Sequence, residues 1–182
     1  SGFSARGLGY WPGDGTLGAR LLVIAGNKLV ALDAATGKPS SGFGDDGAVA
    51  IDPSYGGAPT IFKNVAIIGA PSLENPITAT PANPRAYDVR TGKMLWEFQT
   101  VPHPGELGGD TWGSEGWKGR GGTNLWAASV PVDAARGIAY LPIGNPAANY
   151  WGGDRPGNNL FANSIVAVDA LTGKYLWHFQ TA

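Results

Sequence analysis

The chain has 182 residues, of which 43% are hydrophobic and 29 are glycine, and its formal net charge is −1. The apolar content is enough for a core, so the many glycines indicate turn-rich β structure rather than disorder. The 13 basic residues are scattered, which argues against a nucleic-acid partner. No segment approaches the roughly 20 apolar residues that cross a bilayer, and the absence of cysteine excludes disulfides and thiolate metal sites within the chain.

One sequence pattern occurs three times along the chain. Each copy consists of an alternating apolar strand, a tight turn with a glycine at its sharpest position, and a second strand. The copies are Leu29–Lys38, Ala86–Trp96 and Ile165–Trp177. A hairpin repeated in this way predicts an array of similar sheets.

Two further strands are predicted upstream of each copy. They cover residues 6–11 and 19–25, then 58–62 and 65–69, then 125–130 and 138–144. Each unit therefore reads as a four-stranded antiparallel blade, A to D, and the chain is predicted to be all-β, part of a single β-propeller domain over residues 1–182. The predicted blades are blade 1 at about 5–52, blade 2 at about 57–98 and blade 3 at about 124–180. Because propellers close with about 4–8 blades, the remaining blades are expected elsewhere in a parent chain.

The residues in excess of a minimal blade of about 40–45 residues are not spread evenly. They lie between strands B and C of blade 2, between blades 2 and 3, and between strands B and C of blade 3, at residues 70–84, 99–123 and 145–163. In an up-and-down blade these connections emerge at the same end. Arg6 and Trp126, near the starts of innermost strands, are expected at the same end, so the topology predicts a ligand site at one mouth of the propeller.

Several polar and aromatic side chains are predicted at this mouth. Glu74 and Asn145 follow strand B of adjacent blades, and a carboxylate with a carboxamide oxygen suits a hard cation such as Ca²⁺, although position alone favours solvated loops. Arg6 fits an anionic ligand or, as the simpler alternative, a blade aspartate. Three tryptophans either stack on a flat ligand or pack the insertions, and packing is the default. They are Trp112, Trp117 and Trp126.

Other prominent residues have a structural interpretation. The aspartates and threonines of the three repeats are predicted to bond the turn backbone, and Trp96 and Trp177 to pack between blades. His103 and His178 have no metal-ligand partner at a recognisable spacing, and Asp154 is interpreted as ordering its loop. The turn residues are Asp33, Asp88 and Asp169 with Thr36, Thr91 and Thr172.

The motifs resemble those of the pyrroloquinoline-quinone (PQQ) dependent dehydrogenases that oxidise methanol, other alcohols or glucose. The repeat resembles the tryptophan-docking motif of that family, although copy one has Pro39 and two serines where the tryptophan belongs. Three further stretches resemble segments of the same family. They are Arg6–Gly15, Trp117–Asn124 and Ile143–Ala147. The resemblance implies an eight-bladed propeller, of which this chain holds about three blades.

The resemblance also implies roles for individual residues. Glu74 and Asn145 match calcium ligands of the family, so the implied cofactors are PQQ and Ca²⁺. The implied PQQ contacts are Arg6, Ser72, Thr123, Asn124 and Trp126, with Trp126 under the quinone ring.

The implied reaction is hydride transfer from a hydroxyl carbon of an alcohol or sugar to PQQ. Tyr150–Arg155 resembles the glucose dehydrogenase branch and Asn145 the alcohol branch. The resemblance places the family's catalytic base, an aspartate, beyond Ala182, so no catalytic residue is assigned in this chain. By itself, the chain is expected to be inactive. A periplasmic location and a cytochrome c or ubiquinone acceptor are also implied. The alternative is a non-catalytic propeller scaffold of the outer-membrane assembly lipoprotein type.

Overall fold

The computed structural model describes residues 6–71, 75–121, 123–125 and 130–181. It contains three four-stranded antiparallel sheets, and in each sheet the strands lie side by side in chain order. The first sheet consists of β1 (Gly9–Trp11), β2 (Arg20–Ala25), β3 (Lys28–Asp33) and β4 (Ala48–Ala50). The second consists of β5 (Thr60–Phe62), β6 (Val65–Ile68), β7 (Arg85–Asp88) and β8 (Met94–Glu97), and the third of β9 (Val132–Asp133), β10 (Ile138–Ile143), β11 (Ser164–Asp169) and β12 (Tyr175–Gln180).

The all-β prediction is confirmed, and the sheets fall within the three predicted blade ranges. Helix is limited, in the described residues, to two 3₁₀ turns, Gly109–Thr111 and Gly113–Glu115. None of the described helices is long and apolar enough to span a membrane. Strand register also fixes the direction of each sheet. In the third sheet Ile143 pairs with Ser164, which pairs with Gln180, so the B–C loop and the end of strand D leave the sheet at one edge.

The core lies between the sheets, in two apolar layers. The layer between sheets one and two includes Trp11, Leu22, Ile24, Leu29, Phe43, Ile68 and Val89. The layer between sheets two and three includes Phe62, Ile67, Trp96, Phe98, Leu125, Leu141, Phe161 and Val166. Each sheet is therefore stabilised by burial against its neighbours, and the middle sheet contributes to both layers.

The innermost strands of sheets one and two approach each other closely. A Cβ atom at Gly9 would lie 2.7 Å from Ile61 Cγ1 and 2.8 Å from the Pro59 carbonyl oxygen. Only glycine fits this approach of strand to strand. Trp11, which is 1% exposed, donates its indole N–H to Asn64 Oδ1 at 3.0 Å and joins the same two sheets.

The three repeat turns have the predicted hydrogen bonds. In the third copy, Asp169 Oδ1 accepts from the Thr172 hydroxyl at 2.8 Å and from the Thr172 backbone N–H at 2.9 Å. The Thr172 hydroxyl oxygen accepts in turn from the Lys174 backbone N–H at 3.3 Å. The Thr172 hydroxyl, the Thr172 N–H and the Leu171 N–H together lower the pKa of Asp169 below its ordinary value. The prediction that these residues order the turns is confirmed.

Trp96 joins sheet two to the turn of sheet three. Its indole N–H donates to the Ala170 carbonyl oxygen at 3.2 Å, and a Cβ atom at Gly173 would lie 2.7 Å from the Trp96 ring. Gly173 has a φ of 70°, so glycine is required there for both the turn and the contact. The predicted packing of Trp96 between blades is confirmed. Trp177 is 44% exposed and contacts the Tyr140 ring at a centroid distance of 5.9 Å, so its packing between blades stays a prediction.

The first copy departs from the predicted hairpin because its second strand, β4, begins only at Ala48. Residues 39–47 form a loop that lies against the turn of sheet two. Phe43 is fully buried there, its ring 3.3 Å from the Cβ position of Gly92, and Gly44 N–H donates to the Thr91 carbonyl oxygen at 2.9 Å. Phe43 therefore occupies the place on the second turn that Trp96 occupies on the third.

Arg20 supplies the hydrogen bond that the indole N–H of a tryptophan makes at the other junction. Its guanidinium donates to the carbonyl oxygens of Val89 at 2.9 Å, Arg90 at 2.6 Å and Ser41 at 3.1 Å. Val89 follows Asp88 as Ala170 follows Asp169, so the carbonyl oxygen at the equivalent position accepts a hydrogen bond at each of the two sheet junctions. Two residues distant in sequence, one aromatic and one basic, thus replace a single indole.

The innermost strand of the third sheet was predicted at 125–130, and most of that range is outside what the structure describes; the described strand, β9, is Val132–Asp133. Val132 pairs with Ala139, and Gly137 N–H donates to the Asp133 carbonyl oxygen at 2.7 Å. The tight turn closed by this hydrogen bond therefore joins β9 directly to β10. Residues 126–129 lie outside the described part of the chain.

We predict that the Arg20 and Phe43 contacts stabilise the first sheet junction as strongly as a core tryptophan. Phe43→Ala should lower the free energy of unfolding by about 3–5 kcal/mol, the usual cost of deleting a buried aromatic ring. Arg20→Met should lower it by about 3 kcal/mol because it leaves buried carbonyl oxygens without a donor. Urea unfolding measures both. Arg136→Met, at a guanidinium whose side chain is 75% exposed, is the control and should change nothing. A wild-type midpoint for Arg20→Met would contradict the assignment.

The turn bonds predict a pH-dependent effect of Thr172→Val. The folded-state pKa of Asp169 is lowered mainly by the Thr172 hydroxyl, so the carboxylate stabilises the fold above its unfolded-state value of 3.8. That stabilisation is lost as the pH falls through the lower folded-state pKa. Thr172→Val should therefore be less stable than wild type at neutral pH, and the difference should shrink in acid.

The check is urea unfolding of both proteins over a series of pH values. Thr16→Val is the matched control, because Thr16 bonds Asp14 through its backbone N–H. A Thr172→Val deficit that stays constant with pH would refute the electrostatic origin.

Candidate functional site

The described parts of the three insertions meet at one edge of the sheets. Residues 119–121 run between the loop at 75–79 and the loop after β10. Gly121 N–H donates to the Ile77 carbonyl oxygen at 2.8 Å, and Ala147 N–H donates to the Gly121 carbonyl oxygen at 3.2 Å. Segments separated by more than twenty residues thus form one layer, as the topology predicted.

Asn145 is exposed at this mouth and is held on both sides by backbone hydrogen bonds. On one side Gly144 N–H donates to the Asn124 carbonyl oxygen at 2.9 Å. On the other side Ala147 is 1% exposed and bonds Gly121. The Asn145 carboxamide is therefore presented to solvent from a short, fixed loop, which suits a ligand role.

Arg6 lies three residues before the start of β1 and is exposed. Its charge acts on Tyr55, which is 3% exposed beside Gly69. Burial raises the pKa of Tyr55 to about 12, against the smaller opposite effects of the Gly69 backbone and of Arg6. Tyr55 is therefore a neutral phenol at physiological pH, and Arg6 brings a positive charge to the mouth.

Thr123 and Asn124 are buried behind the mouth. Thr123 is fully buried, and its hydroxyl donates to the Thr100 carbonyl oxygen at 3.3 Å. Asn124 is 5% exposed, and its Oδ1 would lie 2.7 Å from a Cβ atom at Gly144. Thr123 therefore supports the site from behind, whereas Asn124 is next to Asn145. Their predicted PQQ contacts stay predictions.

An open pocket of about 340 Å³ adjoins Asn124 at the end of the third sheet. Its walls are the ends of β10 and β12 and the start of β11, which leave the sheet at the mouth edge. The lining residues include Asn124, Ile143, Gly144, Asn163, Ser164 and Thr181.

Trp112 and Asp154 join the second and third insertions. The Trp112 indole, 4% exposed, donates to the Leu160 carbonyl oxygen at 2.5 Å. Asp154 Oδ2 accepts from Arg120 Nη2 at 2.7 Å. Both assignments, packing for Trp112 and loop ordering for Asp154, are confirmed. Trp117 packs against the exposed His103 ring at a centroid distance of 4.9 Å.

Three predicted site residues, Ser72, Glu74 and Trp126, lie outside the described residues. Among the residues that are described, no group of three or more His, Cys, Asp or Glu side chains is arranged to hold a metal. The assignment of Glu74 and Asn145 to a metal stays a prediction.

Sequence reasoning missed two residues of the mouth, Tyr55 and Arg120. Tyr55 lies in the connection between sheets, outside any repeat. Arg120 belongs to a glycine-rich run whose pattern indicates only a loop. Its burial, with 4% of the side chain exposed, follows from contacts with segments more than twenty residues away.

Comparison with known proteins identifies the family. The β-propeller domain model of the PQQ-dependent glucose/ethanol/alcohol dehydrogenases matches residues 1–182. The dehydrogenase subunit of the quinone alcohol dehydrogenase of Gluconobacter oxydans is 34% identical over 201 residues, covering 97% of this chain and 25% of that protein. Quinoprotein glucose dehydrogenase A of Acinetobacter calcoaceticus is 35% identical over 174 residues, covering 85% and 20%.

The structural comparison agrees. The crystal structure of quinohemoprotein alcohol dehydrogenase from Comamonas testosteroni superposes with a TM-score of 0.77 at 31% identity, covering 96% of this chain and 27% of that one. The chain therefore belongs to the PQQ-dependent dehydrogenase β-propeller family. It spans about a quarter of the length of these curated relatives.

The packing beneath the mouth predicts an effect of Gly69→Ala. The added Cβ would lie 2.5 Å from Leu125 Cβ and 2.9 Å from Tyr55 Cε2, so the end of β6 must shift. We expect a loss of about 1–3 kcal/mol, typical of overpacking, measured by urea unfolding. Gly18→Ala is the control, because the nearest described atom outside its chain neighbours would be Asp33 Oδ2, 4.0 Å from the added Cβ. Equal stability of the two variants would contradict this packing.

Proposed function

We propose that this chain forms part of a PQQ- and Ca²⁺-dependent quinoprotein dehydrogenase that oxidises alcohols or sugars. The observation that carries the proposal is the family match over the whole chain, combined with the convergence of the three insertions at one mouth. The relatives are named as alcohol, glucose and glycerol dehydrogenases, so the substrate class is a molecule with an oxidisable hydroxyl group. These comparisons do not favour the scaffold alternative.

The residues present fit such a cofactor. Asn145 presents a neutral oxygen donor from a fixed loop, and Glu74 would add a carboxylate, a donor set suited to Ca²⁺. Arg6 is exposed at the same end, where its guanidinium would neutralise anionic cofactor groups. Trp126 would supply a flat stacking surface and Ser72 and Asn124 polar contacts, with Thr123 supporting them from behind.

When bound, PQQ supplies the redox chemistry by accepting the hydride from the hydroxyl carbon, with Ca²⁺ as Lewis acid. The chain's own contribution is placement. Asn124 and the 119–121 segment fix the loop of Asn145, and the neutral, buried Tyr55 lies beside Arg6 without adding negative charge. The electron acceptor is proposed to be cytochrome c or ubiquinone and the location the periplasm, both on the strength of the resemblance alone.

Reconstitution of the full-length protein with PQQ and Ca²⁺ tests this function. We expect dye reduction with primary alcohols or glucose, and a loss on the order of 100-fold or more in Glu74→Gln and Asn145→Ala, since even residues behind metal ligands cost about 10–100-fold. Glu115→Gln and Asn158→Ala are matched controls, each an exposed residue of the same type within the insertions. Failure to bind PQQ, or wild-type binding by both ligand variants, would refute the proposal.

A further inference from the structure

Arg120 is a deeply buried charged group at the mouth and donates to three separate backbone or side-chain acceptors. Its side chain is 4% exposed. Nε donates to the Gly116 carbonyl oxygen at 2.6 Å and Nη1 to the Ala147 carbonyl oxygen at 3.0 Å. Nη2 donates to Asp154 Oδ2 at 2.7 Å. One guanidinium thus bonds its own insertion and two points of the next.

These contacts fix the loop of Asn145 from its far side. Ala147 is held through both backbone groups, its N–H by the Gly121 carbonyl oxygen and its carbonyl oxygen by Arg120. Between Asn145 and Ala147 lies the buried Pro146, whose ring restricts φ. With Gly144 bonded to Asn124, the Asn145 backbone has little freedom left. Removal of Arg120 would free one of the two ends.

Residues 119–121 also contact the loop at 75–79 of the second sheet. Ala79 N–H donates to the Gly119 carbonyl oxygen at 3.0 Å, and a Cβ at Gly121 would lie 3.2 Å from both Ala79 Cβ and Ala147 Cβ. Residues 119–121 are therefore a spacer packed between the loops of the second and third sheets. Arg120 anchors the spacer to the Asn145 side.

Asp154 is needed because a second cation is close by. Arg155 donates to Asn159 Oδ1 at 2.7 Å, and burial, followed by the charge of Arg120, lowers its pKa. The carboxylate of Asp154 therefore interacts with the positive charges of both Arg120 and Arg155. A lysine at position 120 would keep the charge but not the planar fork that reaches three acceptors.

From this geometry we infer that Arg120, paired with Asp154, is a positioning residue for Asn145 and thereby sets the Ca²⁺ affinity of the mouth. The inference rests on the proposed function and deepens it. It assigns no direct contact between Arg120 and the cation. Arg120 acts through the Ala147 carbonyl oxygen, two residues from the proposed ligand.

The test is Ca²⁺ titration of the full-length apoprotein in the presence of PQQ, followed by protein fluorescence. Arg120→Lys and Asp154→Asn should each raise the Ca²⁺ dissociation constant about 10- to 100-fold, the usual effect of losing a residue that orients a metal ligand. Lys118→Met is the matched control, because the Lys118–Glu115 pair in the same insertion is exposed, and it should bind Ca²⁺ like wild type.

A double-mutant cycle separates positioning from general stabilisation. If Arg120 acts through Asn145, the effects of Arg120→Lys and Asn145→Ala on Ca²⁺ affinity are strongly non-additive. Additive effects, or wild-type affinity in folded Arg120→Lys and Asp154→Asn, overturn the inference. If Arg120→Lys does not fold, the near-isosteric Asp154→Asn decides alone. A wild-type protein that binds neither PQQ nor Ca²⁺ overturns the proposed function and this inference together, and so is distinguished from failure of the inference alone.

Discussion

The backbone carbonyl oxygen that follows the turn aspartate, in the second and third repeats, is the acceptor on which the stacking of the described sheets depends. At the third turn, the Ala170 oxygen accepts from the Trp96 indole, and at the second turn the Val89 oxygen accepts from Arg20. The turn glycine that follows lets an aromatic ring approach: Trp96 packs against Gly173 and Phe43 against Gly92. Because both acceptor groups are backbone, the turn specifies the docking geometry while leaving the docking residue free to vary.

This constraint explains which parts of the fold were predictable. Local features, such as the Asp169 turn and the strands around it, follow from spacing and turn chemistry, and Trp96 follows from the repeat. The docking by Arg20 and Phe43 could not be predicted, because their contacts with the second turn depend on how a loop folds back on a neighbouring sheet. The extension of the third sheet to Val132–Asp133 follows from the tight turn at Gly137, which pairs these two residues with the start of β10.

The same division holds for the candidate site. The position of Asn145 at the mouth follows from topology, since the loops after strand B leave every sheet at one edge. The burial of Arg120 and Tyr55 does not follow from any local pattern, because each is surrounded by residues from distant segments. Long-range packing of irregular loops carries no period, so a single sequence gives little indication of it.

The arrangement of docking groups also gives the stack a direction. The Gly92 and Gly173 turns are covered by the preceding sheet, whereas a Cβ placed on Gly37 has no described atom within 4 Å apart from those of its chain neighbours. At the opposite face, Trp177 is partly exposed. Sheet two therefore offers an acceptor turn on one side and a donor on the other, a heterologous head-to-tail relation with no two-fold symmetry. In a head-to-tail arrangement every acceptor turn finds a donor only when the sheets close into a ring.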